Sequence, residues 1–131
     1  MRYMLDTNVV SHIMQGRDMA LLARLSAVPV GDVVISSVTL AELEYGLQRR
    51  GQPVKLQNAL TQLMLRIDVL PWDEDVARCY GELCAGLEAK GINLSDFDMM
   101  IAAHAQQTGT TLVSRDRAFK QLPKGFKLEV W

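Results

Sequence analysis

Asp6, Glu42, Asp98 and Asp116 are the residues whose types and positions point to chemistry. Asp6 closes an apolar run at residues 2–5, and Asp116 lies three positions after the apolar stretch ending at Val113. Asp98 falls in the first turn of a helix opened by Asn93-Leu94-Ser95, and Glu42 in the helix that follows Val33-Val34-Ile35. Carboxylates brought into one pocket raise one another's pKa unless a cation compensates them. Oxygen donors without a His or Cys partner select a hard cation such as Mg²⁺ or Mn²⁺. Mg²⁺ is usually held by one or two carboxylates and keeps several waters, so the other acids can bind those waters or a second ion. Such an ion lowers the pKa of an attacking water and neutralises charge on a phosphate, which is the chemistry of phosphodiester hydrolysis.

Each acid also has an ordinary structural explanation. Asp6 can cap the next helix, Ser95-x-x-Asp98 fits a capping box, and Asp116 suits a turn. Glu42 can sit on a solvated helix face. Glu44 lies two residues on, about 200° around a helix, so only one of the two can face a given pocket. Glu42 is chosen because it shares a flank with Val38 and Tyr45.

The elements that position these acids follow from hydrophobic patterning. Residues 2–5 read as a buried strand that meets a helix start at Asp6-Thr7-Asn8. Residues 9–15 and 18–27 read as helices broken near Gly16. Val33-Val34-Ile35 is a β-branched strand. Ser36-Ser37 can cap a helix running to about Arg49, stopped by Gly51 and Pro53. Leu56, Leu60, Leu63 and Ile67 recur at helical spacing. Val69-Leu70 is a brief strand, and Val76, Tyr80, Leu83, Cys84 and Leu87 form a helix stripe ended by Gly91. A further helix spans Asp96 to just before Gly109, and residues 110–113 and 127–130 are strands. Short apolar strands alternating with helices imply a parallel sheet covered on both faces. Right-handed crossovers place the strand C-terminal ends on one edge, where sites form.

The chain has 131 residues, the size of one domain spanning 1–131. It is 49% hydrophobic and 6% aromatic, which suits an aliphatic core and argues against disorder. No apolar run approaches the ~20 residues of a membrane span. Asp6 interrupts the N-terminus too early for a signal peptide, so a cytoplasmic location is expected. Cys79 and Cys84 lie roughly 7.5 Å apart along a helix axis, too far for an easy disulfide. Their spacing is not CxxC, so they read as buried structural thiols. The net charge of −1 predicts no nucleic-acid partner from the whole chain. The distribution is uneven, however. Acids dominate 68–88 with Arg78 the only base, whereas 115–127 holds Arg115, Arg117, Lys120, Lys124 and Lys127 around the single acid Asp116.

Four stretches resemble the PIN-domain family and, within it, VapC-type toxins of bacterial toxin–antitoxin pairs. They are Met4-Leu5-Asp6-Thr7-Asn8, residues 35–46 (Ile35-Ser36-Ser37 through Ala41-Glu42 to Gly46), Phe97-Asp98-Met99-Met100-Ile101-Ala102-Ala103-His104-Ala105, and Leu112-Val113-Ser114-Arg115-Asp116-Arg117-Ala118-Phe119. Each is weak alone, but all four occur in family order across nearly the whole chain. The resemblance implies a single PIN-like α/β domain with a five-stranded parallel sheet in a three-layer α/β/α sandwich. It also implies an Mg²⁺- or Mn²⁺-dependent endoribonuclease, often acting on transfer RNA. Asp6 and Asp98 would be the direct metal ligands. Glu42 and Asp116 would complete the cluster, and Asn8 and Ser114 would support it, with Ser114 standing where Thr is common. The implied partners are a cognate antitoxin, whose C-terminal segment would lie across the site, and a second copy in a homodimer.

Arg115, Arg117 and Lys120 flank the proposed site and can hold RNA phosphates; a solvated basic face is the alternative. His12 and His104 are not assigned to chemistry. His104 lies on the apolar side of its helix with Phe97, Met100 and Ile101 and reads as a packed, hydrogen-bonded histidine. Trp72 and Trp131 can stack on bases, but core packing or a dimer contact suits both better. A phosphatase of the haloacid dehalogenase type wants an Asp where Asn8 stands, and a response regulator needs an acid pair that Asp6 lacks. The remaining alternative is a catalytically inactive PIN-fold binding module acting with an antitoxin.

Overall fold

The computed structural model describes residues 1–131. The chain order is β1 (Tyr3–Leu5), α1 (Thr7–Gln15), α2 (Met19–Ala27), β2 (Val33–Ser36), α3 (Ser37–Arg49), α4 (Val54–Met64), β3 (Asp68–Leu70), α5 (Glu74–Ala89), α6 (Asp96–Thr108), β4 (Thr111–Val113), a 3-10 helix (Arg117–Gln121) and β5 (Leu128–Glu129). All five strands are parallel, in the order β3-β2-β1-β4-β5. The first strand is therefore central, and its neighbours are β2 and β4.

Successive strand side chains point to opposite faces, and here both faces are apolar. Met4, Val34 and Leu112 pack with Val76, Leu83, Leu87 and Ile101 from α5 and α6. Their strand neighbours Leu5, Val33, Ile35 and Val113 pack with Val9, Leu21, Leu43 and Leu60 from α1 to α4. This explains why the strands lack polar alternation, and it produces the three-layer sandwich. Burying each of these Val, Leu and Ile side chains is worth about 1.5–3 kcal/mol against full exposure.

Local chemistry sets the helix boundaries. Asp6, Asp18, Ser36, Asp73 and Ser95 each accept a backbone N–H in the first turn of the helix they precede. Gly16 and Gly109 end α1 and α6 in the left-handed conformation, at φ 70° and 68°, which an L side chain resists.

Several details depart from the sequence expectations. α1 begins at Thr7, because the Asp6 cap organises the turn directly. Ile67 is buried but lies beyond α4, which ends at Met64. Helical spacing alone cannot distinguish a last turn from a buried connection. A 3-10 helix, which no apolar periodicity marks, follows β4, and β5 contracts to Leu128–Glu129. Tyr45 is 67% exposed and Phe97 52% exposed, so neither belongs to the apolar flank assigned to it. Both cysteines are free but only half-buried.

Candidate active site

Asp6 sits at the C-terminal end of the central strand and is 4% exposed. Its two oxygens have separate tasks. Oδ1 accepts the Val9 N–H at 2.9 Å and caps α1, while Oδ2 accepts the Ser114 hydroxyl. Capping and site chemistry are therefore both open to this residue. Ser114, itself buried, accepts the Asp116 N–H at 3.0 Å on the same oxygen. β4 pairs beside β1, so this strand end hands Asp116 to the neighbourhood of Asp6. Asp116 is exposed and caps the 3-10 helix through the Ala118 N–H at 2.9 Å.

Glu42 reaches the same edge from α3, where its Oε1 accepts the Thr7 hydroxyl at 2.6 Å. Glu44 is exposed. Glu42 rather than Glu44 contacts this edge, but not through a flank shared with Tyr45, whose ring lies outward beside Arg49. The reason is the contact with Thr7, one residue after the strand-end acid. Asp98 is half-buried in the first turn of α6, where the Ser95 hydroxyl oxygen accepts its backbone N–H at 3.2 Å.

The four acids share one electrostatic environment. Burial pushes the Asp6 carboxyl above the ordinary range; hydrogen bonds from Ser114 and Val9 oppose this, and the charges of Asp98 and Asp116 add to it. Burial also raises Glu42, offset by Thr7 and reinforced by Asp98 and Asp6. Asp98 is raised by burial, lowered by the Ser95 hydroxyl and raised by Asp116. The ion pairs of the chain are Arg24–Glu129, Arg78–Asp75 and Arg115–Asp18, so no basic side chain neutralises the cluster.

Carboxylates crowded without a counter-cation fit a hard divalent ion by donor type and charge. No three of them stand close enough to ligate one ion together. Mg²⁺ is usually bound through one or two carboxylates, with water and substrate oxygens in the remaining positions.

The other residues named from sequence fall in distinct places. Asn8 is exposed and makes no hydrogen bond to the acids. Arg115 is engaged elsewhere: it pairs with Asp18 at 2.7 Å and donates to the Trp131 carbonyl at 2.8 Å. Arg117 and Lys120 are exposed beside the acidic edge, on the 3-10 helix that Asp116 caps. His104 is 1% exposed, with Nδ1 2.7 Å from the Ser36 hydroxyl, and burial, opposed by Asp73, lowers its pKa. It is the packed, hydrogen-bonded histidine anticipated. Trp72 is half-buried against the core, its indole N–H donating to the Met100 carbonyl at 3.0 Å. Trp131 packs on Tyr3 with Arg24 over its ring. Thr7 was not singled out as a site residue. Its one available signal was a hydroxyl directly after a strand-end acid. A cleft of about 180 Å³ opens beside Thr7 and Glu42, floored by Met14, Leu43, Leu47 and Leu56.

Comparison with known proteins agrees with this architecture. A family model described as PIN domain matches residues 3–125. The chain is 32% identical over 123 residues to a protein named Ribonuclease VapC2 of Haemophilus influenzae, covering 93% of this chain and 92% of that one. It is 31% identical over 131 residues to one named tRNA(fMet)-specific endonuclease VapC of Shigella flexneri, covering 100% and 98%. The crystal structure of VapBC2 from Rickettsia felis, bound to a promoter DNA fragment, superposes with a TM-score of 0.92 at 31% identity, covering 100% of this chain and 99% of that one.

Proposed function

This chain belongs to the PIN-domain family and, within it, to the VapC proteins, and from that premise we propose that it is the ribonuclease toxin of a toxin–antitoxin pair, cleaving RNA endonucleolytically with Mg²⁺ or Mn²⁺. The observation that carries the reading is the cluster of Asp6, Glu42, Asp98 and Asp116 at one sheet edge, three of them with raised pKa and none neutralised by a basic side chain. The likeness to a relative named a tRNA(fMet)-specific endonuclease supports transfer RNA as the substrate class.

Asp6 and Asp98 hold the cation in this reading. When bound, it supplies Lewis-acid activation of water and neutralisation of phosphate charge. Ser114 and the Val9 N–H orient Asp6, leaving its carboxylate little rotational freedom. Thr7 fixes Glu42, which together with Asp116 can accept a proton from, or orient, the water that attacks the phosphorus. Arg117 and Lys120 hold neighbouring RNA phosphates. The cognate antitoxin is the protein partner, and the cleft lined by Glu42, Arg49, Arg50 and the apolar Met14, Leu43, Leu47 and Leu56 offers its segment a seat. A homodimer completes the assembly. No helix is long and apolar enough to cross a membrane.

The test is incubation of total bacterial RNA with antitoxin-free protein in Mg²⁺, in Mn²⁺ and in EDTA, with Asp6→Ala as control. Discrete cuts that need metal and vanish in the variant are expected. Folded wild-type protein that cuts nothing would instead favour a binding module.

A further inference from the structure

α3 and α6 carry Glu42 and Asp98, whose like charges repel. Polar contacts, rather than apolar packing alone, tie these two helices together. His104 of α6 lies 2.7 Å through Nδ1 from the hydroxyl of Ser36, the residue capping α3. Both side chains are fully buried, at 1% and 0% exposure. Trp72, in the connection after β3, makes a second link. Its backbone N–H donates to the Ser37 hydroxyl at 3.0 Å, and its indole N–H donates to the Met100 carbonyl at 3.0 Å. One residue thus touches the first turn of α3 and, with its other end, α6 close to Asp98. The Trp72 ring is held edge-on against Tyr80 of α5, with centroids 5.8 Å apart.

The hydrophobic effect is non-directional. Hydrogen bonds have narrow length and angle ranges, and buried ones are costly to leave unmade. The polar links thus constrain the first turn of α3 against α6, the two helices that carry Glu42 and Asp98. We propose that Trp72 and the His104–Ser36 pair act as a bracket that holds the Glu42 and Asp98 helices in register against the repulsion of their carboxylates, so that the acid site is preorganised before the cation arrives. Trp72, Ser36 and His104 are positioning residues, acting through Glu42 and Asp98. The inference rests on the nuclease reading above.

The experiment uses the full chain carrying Trp72→Phe, which keeps an aromatic ring and removes the indole donor, or His104→Leu, which keeps bulk and removes the ring nitrogens. His104→Asn, with a polar nitrogen near the Nδ1 position, is the rescue. Mn²⁺ binding to RNA-free protein is titrated by calorimetry, alongside kcat, KM for RNA and thermal unfolding. Trp72→Phe and His104→Leu are expected to weaken Mn²⁺ binding and lower kcat by about tenfold, the scale of outer-shell support around a metal. RNA KM should stay unchanged, and His104→Asn should recover most of both losses. Folded Trp72→Phe and His104→Leu that bind Mn²⁺ and turn over like wild type would overturn the bracket alone. Losses that His104→Asn fails to relieve would overturn the role of His104–Ser36 and leave Trp72→Phe to decide the rest. A wild type that neither binds Mn²⁺ nor cleaves RNA would overturn the nuclease reading, and the bracket with it.

Discussion

Ser114 donates its hydroxyl to Oδ2 of Asp6 across 108 positions of sequence, in a contact buried from solvent. The same serine oxygen accepts the Asp116 N–H, so one small side chain joins the first of the four site acids to the last. β4 has to lie directly beside β1 for this to happen, and it does.

Ser114→Ala strips Asp6 Oδ2 and the Asp116 N–H of their partner. A hydrogen bond to a charged group is worth about 1.5–3 kcal/mol, so denaturant unfolding should show a loss of roughly 2 kcal/mol. Cleavage should fall with it. Ser114→Thr keeps the hydroxyl and should retain most of both; equal losses in the two variants would remove the hydroxyl from the account.

The raised carboxyls of Asp6, Glu42 and Asp98 fix the sign of a pH effect. Their folded pKa values exceed the unfolded ones, so the stability they contribute is complete below the unfolded values and is lost as pH rises through the folded ones. In chelator, the unfolding midpoint of wild type should therefore fall relative to Asp6→Asn as pH rises from about 4 to 7. The difference between the two proteins cancels other groups, including Asp18, whose lowered pKa acts in the opposite direction. Asn at position 6 keeps an oxygen for the Val9 N–H. Millimolar Mg²⁺ should raise the wild-type midpoint more than that of the variant.

Thr7→Val is close to isosteric and removes the hydroxyl that Glu42 accepts. That hydroxyl lowers the Glu42 pKa, so its loss should move the acidic limb of the pH–rate profile to higher pH. kcat should fall by about tenfold, the equivalent of ~1.4 kcal/mol, with RNA KM little changed. An unmoved acidic limb would take Glu42 out of the proton chemistry.

Arg117→Ala and Lys120→Ala should each weaken RNA binding across sequences and reduce the magnitude of the log K against log salt slope by about 0.7–1. Arg115→Ala should change that slope less, because its guanidinium is already committed to Asp18 and the Trp131 carbonyl. Its cost should appear instead as a small loss of stability, because ion pairs this open to solvent are screened.

Much of this protein is legible along the chain because its signals are local. The apolar strands, the caps Asp6, Ser36 and Ser95, and the left-handed glycines Gly16 and Gly109 all act within a few residues, and they yield the element order. Local pattern also puts Asp6 and Asp116 just after strands and Asp98 in a first helical turn. A parallel sheet then places those positions on one edge.

What local pattern could not contain is which side chain meets which. Thr7 decides between Glu42 and Glu44 from 35 positions away, and Asp18 draws Arg115 toward α2. Asn8 makes no bond to the acids, although it lies two residues from Asp6. Trp72 and His104 join helices that no spacing rule connects. Composition and periodicity determined a sandwich with acids at one edge, because burial and capping depend on neighbours in the chain. The partners of those acids were decided by the strand order β3-β2-β1-β4-β5, which brings together residues a hundred positions apart, because directional bonds form only between groups that the folded backbone has already placed within reach.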